Sequence, residues 1–305
     1  MKNSLATLHP FSKFIFSLFI ILASFLLFFV IGIAIGLPLF NISFAELPSA
    51  LANYSEPGNL KFLKYLQTIQ AIGLFIVPAF IISYFFHQNS FRYLKFNPVG
   101  LYSAILVVFI MISAIPAINF FVMINSKMQL PSYLSELETW MRQKEESAQA
   151  LTEAFLKMDS VGSLAFNIFM IAILPAVGEE LIFRGVIQRL FAEWTKNIHW
   201  GIIIAAFFFS FMHIQFYGFI PRMIIGVLLG YLFYLSGSIW VPILGHFINN
   251  AMAVLFYYFY SGKVDEQIDT LGASEGSYGY LFVGIILLFL FLYQFYQREH
   301  KKVSG

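Results

Sequence analysis

The chain has 305 residues, of which 59% are hydrophobic and only 11% are charged. Soluble globular domains carry about 25% charged residues, so this composition predicts a membrane protein. The chain has no cysteine, which excludes disulfides, thiolate nucleophiles and thiolate metal sites. Its formal net charge is only +2 and its basic residues are scattered, so we expect no nucleic-acid partner.

Apolar segments of bilayer-crossing length recur about eight times, because about 20 helical residues span the hydrocarbon core of a membrane. The predicted spans are Phe14–Leu37, Leu66–Phe86, Gly100–Ile124, Val161–Glu180 (running on to Leu190), His199–Tyr217, Phe219–Leu235, Ile239–Tyr260 and Tyr278–Tyr296. The sequence therefore predicts an all-α polytopic protein with about eight transmembrane helices in a lipid bilayer.

Four regions follow from this pattern. They are a three-span region at 1–130, an extracytoplasmic amphipathic helix at 131–160, a core at 161–261, and a last loop, final span and tail at 262–305. In the amphipathic helix, Ser135 and Glu138 have the spacing of a capping box. We expect this helix to rest on the outer membrane interface, with a lid over a substrate entrance as the alternative.

Basic residues predict the orientation. With eight spans, most of the Lys and Arg residues in short loops lie on the same side as both chain ends. The positive-inside rule then puts both termini in the cytoplasm. For a bacterial chain this corresponds to a multi-pass protein of the plasma membrane.

Charged residues inside the fourth span are the first sign of a function. The insertion free energy of each ionised group at membrane depth is unfavourable by at least about 2.5–3.5 kcal/mol, so such groups are rare unless they serve a function. Glu179, Glu180 and Arg184 all fall there. Arg184 is the i+4 neighbour of Glu180, so these two residues can pair. Glu179 is about 100° around the helix from Glu180, which leaves its carboxylate free to face something else.

Two histidines and an asparagine complete a set of polar residues. His213 and His246 fall within predicted spans, and Asn250 lies one helical turn beyond His246. A carboxylate in a low-dielectric cavity can act as a general base toward water, and a neutral imidazole can share that water. An imidazole N–H and an amide NH₂ one turn apart can converge on one oxygen, as an oxyanion hole requires. This inventory suits hydrolysis of an amide bond inside a membrane.

Three motifs carry a resemblance to a family. The sequence EELIFR fits an EExxxR motif, Phe209–His213 fits FxxxH, and His246–Asn250 fits HxxxN. In this order and on separate spans, they resemble the CPBP intramembrane proteases. That family comprises the type II CAAX prenyl endopeptidases and relatives linked to bacteriocin processing and immunity. The resemblance covers about Asn167 to Phe256.

The resemblance implies a multi-pass helical fold with the catalytic cavity between helices. It also implies that Glu179 and His213 activate water, while His246 and Asn250 stabilise the oxyanion. We therefore expect an intramembrane endopeptidase that acts on a peptide or protein substrate delivered through the membrane. A prenylated substrate is implied by the resemblance alone.

Metal dependence and two other functions remain open. Glu179, His213 and His246 would form a plausible zinc set with room for a water. The favoured mechanism needs no cofactor: a metal-free mechanism with glutamate as the base gives a role to every residue of the set, Asn250 included. The alternatives are a proton-coupled transporter that uses the same residues as a relay, and a catalytically silent immunity or binding protein of the same fold.

The expected depths of the two histidines in the membrane argue against their meeting in one site. At 1.5 Å per residue, His246 lies about 10 Å from the cytoplasmic end of its span, whereas His213 lies about 21 Å from the start of its own at His199. The residues can meet only if spans tilt, or if Trp194–Trp200 lies along the membrane interface and the fifth helix is thereby cut short.

Overall fold

The computed structural model describes residues 2–260, 271–274 and 276–304. These residues form helices, turns and connectors, with no strand among them. Seven of the helices are long and apolar enough to cross a membrane, which confirms the all-α polytopic fold. Residues 261–270 and 275 lie outside the described residues, and with them falls much of the predicted last loop in the 262–305 region.

Nine long helices in the described part of the chain are numbered in order. They are α1 (Pro10–Leu39), α2 (Pro57–Phe86), α3 (Leu101–Ser126), α4 (Ser135–Leu156), α5 (Val161–Thr195), α6 (Ile198–Phe211), α7 (Phe219–Ser236), α8 (Trp240–Phe259) and α9 (Tyr278–Ser304). The short helices Leu47–Ala52 and Ser90–Tyr93 lie in the connectors before α2 and α3.

Two predicted boundaries are wrong. The second span begins at Pro57 rather than Leu66, because Pro57 occupies the first turn, where its missing N–H costs no hydrogen bond. The fifth span was expected to reach Tyr217 but ends at Phe211, and α6 has only 14 residues. At 1.5 Å per residue α6 is about 21 Å long, which is less than the roughly 30 Å hydrocarbon core.

Wide π-helical turns interrupt two of the spans. One covers Ile72–Ile76 in α2, and two cover Ile168–Ile173 and Phe183–Ile187 in α5. Such turns insert an extra residue into the helix, and they occur frequently at functional sites. The two turns of α5 lie on either side of Glu179 and Glu180, where the sequence also places Pro175.

Small residues let α1, α2 and α5 approach closely at the same level. A Cβ atom on Gly73 would lie 2.2 Å from Cβ of Phe28, and one on Gly178 would lie 2.8 Å from Cβ of Phe75. Ser24 of α1 also donates a hydrogen bond of 2.6 Å to the carbonyl of Gly73. The π-helical turn of α2 is thus packed between α1 and the segment of α5 that carries the glutamates.

The predicted capping box at the start of α4 is wrong. A 3₁₀ turn at Ser132–Leu134 runs directly into α4, so Ser135 is already helical and cannot serve as the cap. Glu138 instead pairs with Arg142 at 2.7 Å and accepts a hydrogen bond of 2.9 Å from the amide of Leu130. These bonds, that from Arg142 foremost, hold the pKa of Glu138 below its usual value.

The predicted orientation can be tested directly, because the chain has no native cysteine. We expect Ser147→Cys on α4 to react with a membrane-impermeant maleimide in intact cells. We expect Ser4→Cys to react only after the cells are permeabilised, since both termini are predicted to be cytoplasmic. The measurement is gel-shift labelling, and the reverse pattern would show that the orientation is inverted.

Candidate active site

The carboxylate of Glu180 in α5 accepts hydrogen bonds from two other buried side chains. Its Oε1 accepts a hydrogen bond of 2.7 Å from Nη1 of Arg184 and one of 2.8 Å from Nδ1 of His246. All three side chains are buried. Because a carboxylate oxygen can only accept, the proton of the second bond belongs to Nδ1 of His246. The bond ties α5 to α8.

Arg184 extends this contact to two further helices. Its Nη2 donates a hydrogen bond of 2.9 Å to the backbone carbonyl of Gly226 in α7. Its guanidinium lies 4.9 Å from the ring centroid of Phe209 in α6. A buried ion pair of this kind is costly to assemble and strongly destabilising to break, so these contacts constrain how α5, α6, α7 and α8 pack.

Glu179 is the carboxylate that these contacts leave free. Among the described residues, its Oε2 has no hydrogen-bond partner although the atom is buried, as is also the case for Oε2 of Glu180 and Oε1 of Gln188. Oε2 of Glu179 lies 3.9 Å from Nε2 of His246, too far for a hydrogen bond. An unpartnered buried acceptor is rare in proteins and calls for an explanation such as a catalytic role or a bound ligand.

His213 lies just beyond the end of α6. Its Nδ1 is 2.9 Å from the backbone carbonyl oxygen of Phe209, so Nδ1 carries the proton and the neutral ring has its lone pair on Nε2. The ring centroid of Phe209 lies 5.3 Å from that of His213 and 5.7 Å from that of His246. Phe209 thus separates the two imidazoles and contacts both.

No chemical role was predicted for Phe209 from the sequence. Besides the two histidines and Arg184, its ring meets that of Phe183 at 5.3 Å. It therefore keeps water from one side of the buried ion pair. Its position four residues before His213, in the FxxxH motif, was the available signal.

The turn that carries His213 is held from outside by α3 and α4. Nδ2 of Asn125 donates to the carbonyl of Phe216 at 3.0 Å, and Oε2 of Glu145 accepts from the amide of Tyr217 at 3.1 Å. The guanidinium of Arg142 lies 4.5 Å from the ring centroid of Tyr217. Helix α4, predicted to rest on the membrane interface, therefore also packs on the turn that follows α6.

Backbone strain accompanies these contacts. Ile214, directly after His213, has a φ of 51°. Left-handed backbone is unusual for a β-branched residue and costs of the order of 1–3 kcal/mol. The surrounding hydrogen bonds hold the turn in this conformation, which directs the chain sharply away from α6.

Asn250 shares one face of α8 with His246, one turn apart, as its spacing predicts. Its Nδ2 donates a hydrogen bond of 3.1 Å to the carbonyl of Ile171 in α5. In a regular helix the carbonyl of Ile171 would accept from the N–H of residue 175, but Pro175 has no N–H. The side-chain amide of Asn250 takes the place of that missing donor. The amide has a second hydrogen, which remains for a ligand.

The structure brings Glu179, Glu180, Arg184, His213 and His246 into one cluster around Phe209, with Asn250 one turn away. The ring of Phe209 contacts those of both His213 and His246, so the difference in depth expected from the sequence does not keep the two histidines apart. Helix α6 ends at Phe211, and His213 lies in the turn that follows it.

The same geometry bears on the zinc alternative. In residues 2–260, 271–274 and 276–304, no group of three His, Asp or Glu side chains lies close enough to hold one ion. Glu179, His213 and His246 as arranged therefore do not fit a zinc site, and the mechanism below is derived without one.

Comparison with known proteins agrees with the motifs. Residues 161–252 match the family model described as Rce1-like, type II CAAX prenyl endopeptidase. The family predicted from the three motifs is thereby confirmed for this segment. The match runs from the start of α5 into α8 and so contains every residue of the cluster, whereas α1–α4 and α9 lie outside it.

A curated relative covers a similar length. The uncharacterized protein YpbD of Bacillus subtilis (strain 168) is 31% identical over 107 residues, which is 34% of this chain and 54% of YpbD. The match thus spans about half the length of that relative. No solved structure matches the chain.

The buried ion pair gives a stability prediction. Arg184→Met leaves the carboxylate of Glu180 without its cation, and we expect a loss of about 3–5 kcal/mol in unfolding free energy. Glu180→Gln combined with Arg184→Met removes both charges and should recover part of this loss. The measurement is unfolding of the purified protein in detergent.

The matched control is Arg142→Met, which removes an exposed partner of an i,i+4 ion pair and should have a much smaller effect. If Arg184→Met has the same unfolding free energy as this control, the buried ion pair does not constrain the packing of the helices.

Proposed function

We propose that this protein is an intramembrane endopeptidase that hydrolyses a peptide bond of a membrane-associated substrate. The observation that carries the proposal is the buried, unpartnered Oε2 of Glu179, which faces the Nε2 side of His246. The match of 161–252 to the type II CAAX prenyl endopeptidase family supports this reaction class.

Glu179 acts as the general base. Its free oxygen accepts a proton from a water molecule, and the Nε2 lone pair of His213 accepts a hydrogen bond from the same water. The hydrogen bond from Nδ1 of His213 to the Phe209 carbonyl fixes the tautomer that this role needs. The water oxygen then bonds to the scissile carbonyl carbon, and the carbonyl electron pair moves onto oxygen.

His246 and Asn250 stabilise that oxyanion. In this role His246 carries a proton on each ring nitrogen. Both ring nitrogens then donate, Nδ1 to Glu180 and Nε2 to the oxyanion. The second amide hydrogen of Asn250 is the other donor. A single donor of this kind is worth about 2.7–4 kcal/mol in other enzymes.

Collapse of the tetrahedral intermediate breaks the C–N bond. The proton taken up by Glu179 passes to the leaving amine, with His213 as the neighbouring relay. The products are a carboxylic acid and an amine, and the side chains return to their starting protonation states.

The substrate reaches this site through the bilayer. The cluster is formed by helices that are themselves membrane-spanning by length and composition, together with the short α6. A prenylated peptide is the substrate class that the matching family description suggests. With both termini in the cytoplasm, the last turn of α6 and α4 are on the outer side.

Replacing the base tests the proposal. We expect Glu179→Gln and His213→Ala each to lower the cleavage rate by about 10²–10⁴-fold while folding and abundance are retained. Glu153→Gln, an exposed carboxylate on α4, is the matched control. The assay is mass spectrometry of new peptide termini in proteoliposomes that contain prenylated and unprenylated membrane peptides.

Undiminished cleavage by either variant would exclude the proposed mechanism. Proton uptake by wild-type proteoliposomes that is lost in Glu179→Gln, without cleavage, would indicate the transporter. Immunity conferred in cells without any wild-type cleavage would indicate the silent binding protein.

Metal dependence is tested in the same assay. We expect cleavage to survive extended treatment with EDTA or phenanthroline, because the base and both oxyanion donors are side chains. Loss of cleavage on chelation that added zinc restores would replace this mechanism with a metal-dependent one.

A further inference from the structure

A cavity of about 680 Å³ lies at the end of the bundle where α1 finishes and where α2 and α5 begin. Its apolar wall comes from three parts of the chain, and includes Phe40, Tyr65, Met158 and Phe166. The volume is in the range of small-molecule binding sites, roughly 300–1,000 Å³. Because it lies at helix ends, its opening is near the boundary between hydrocarbon and headgroups.

The same cavity is lined by three cations. Lys61 and Lys64 come from the first turns of α2, and Lys157 from the connector between α4 and α5. Asp159 is the only acidic side chain among the described lining residues. The lining therefore has an excess of two positive charges beside a largely apolar wall.

Lys64 is held inside the cavity rather than extended toward water. Its Nζ donates a hydrogen bond of 3.0 Å to Oδ1 of Asn167. Asn167 is fully buried, and its Nδ2 donates in turn to the carbonyl of Phe155 at 2.7 Å. A lysine at a helix end ordinarily extends toward the headgroups. Here two successive hydrogen bonds fix the ammonium against the protein.

We propose that this cavity binds one anionic phospholipid. The phosphate lies against the ammonium groups of Lys61, Lys64 and Lys157, and the start of an acyl chain lies along Phe40, Tyr65 and Phe166. A soluble anion would satisfy the charges but leave the apolar wall facing water. An uncharged lipid would cover the wall but leave the ammonium groups without a counter-charge. An anionic lipid satisfies both.

The site is separate from the candidate active site. Ser163 lines the cavity, and Glu179 lies 16 residues further along α5, or about 24 Å at 1.5 Å per residue. The proposal therefore stands or falls independently of the peptidase function.

The test is native mass spectrometry of the purified full-length chain, titrated with phosphatidylglycerol or phosphatidylcholine. We expect one tightly retained phosphatidylglycerol and no comparable phosphatidylcholine adduct. Lys61→Gln combined with Lys157→Gln should weaken this adduct about 25-fold, taking about fivefold for each lysine near an anionic headgroup. Lys64 is left intact, because its contact with Asn167 also supports the fold.

The matched control removes the same charge elsewhere, by Lys127→Gln combined with Lys144→Gln, and should leave the adduct unchanged. Equal retention of the two lipids, or equal weakening in the control, would overturn the proposal. Displacement of the lipid by millimolar inorganic phosphate would also overturn it, since it would show a site for a free anion.

Discussion

The carboxylate of Glu180 is the constraint on which the site depends. It is buried between membrane helices, where an uncompensated charge is prohibitive, and its Oε1 receives both Arg184 and His246. Through Arg184 it also determines how close α7 comes, because the same guanidinium bonds the carbonyl of Gly226. The requirement to neutralise one acid therefore assembles the helices and, in doing so, leaves the neighbouring Glu179 without a partner.

Irregular helix geometry makes this arrangement possible. The π-helical turns of α5 bracket the two glutamates, and Pro175 leaves the carbonyl of Ile171 without its usual i−4 donor. Asn250 from α8 donates to that carbonyl, so one side-chain amide both supplies the missing hydrogen bond and lies one turn from His246. The defect and the proposed oxyanion donors are thus parts of one structural solution.

Much of this could be predicted from the sequence, for identifiable reasons. Apolar runs of span length fix the helices, and the i+4 spacing of Glu180 and Arg184 fixes their pairing. Hydropathy could not give the end of α6 at Phe211, since Met212 and Ile214 are as apolar as the helix before them, and the left-handed backbone at Ile214 leaves no mark in hydropathy. Nor could spacing reveal that His246 bonds Glu180, because the two are 66 residues apart on different helices.

The contact between α4 and the turn after α6 has a consequence for how the sequence can vary. Arg142 and Glu145 lie before the segment matched by the family, yet they bear on the turn that begins with His213. Substitutions in α4 can therefore act on the turn that carries His213 while the three motifs stay unaltered. Sequence differences that affect the site should be sought in α4 as well as in the three motifs.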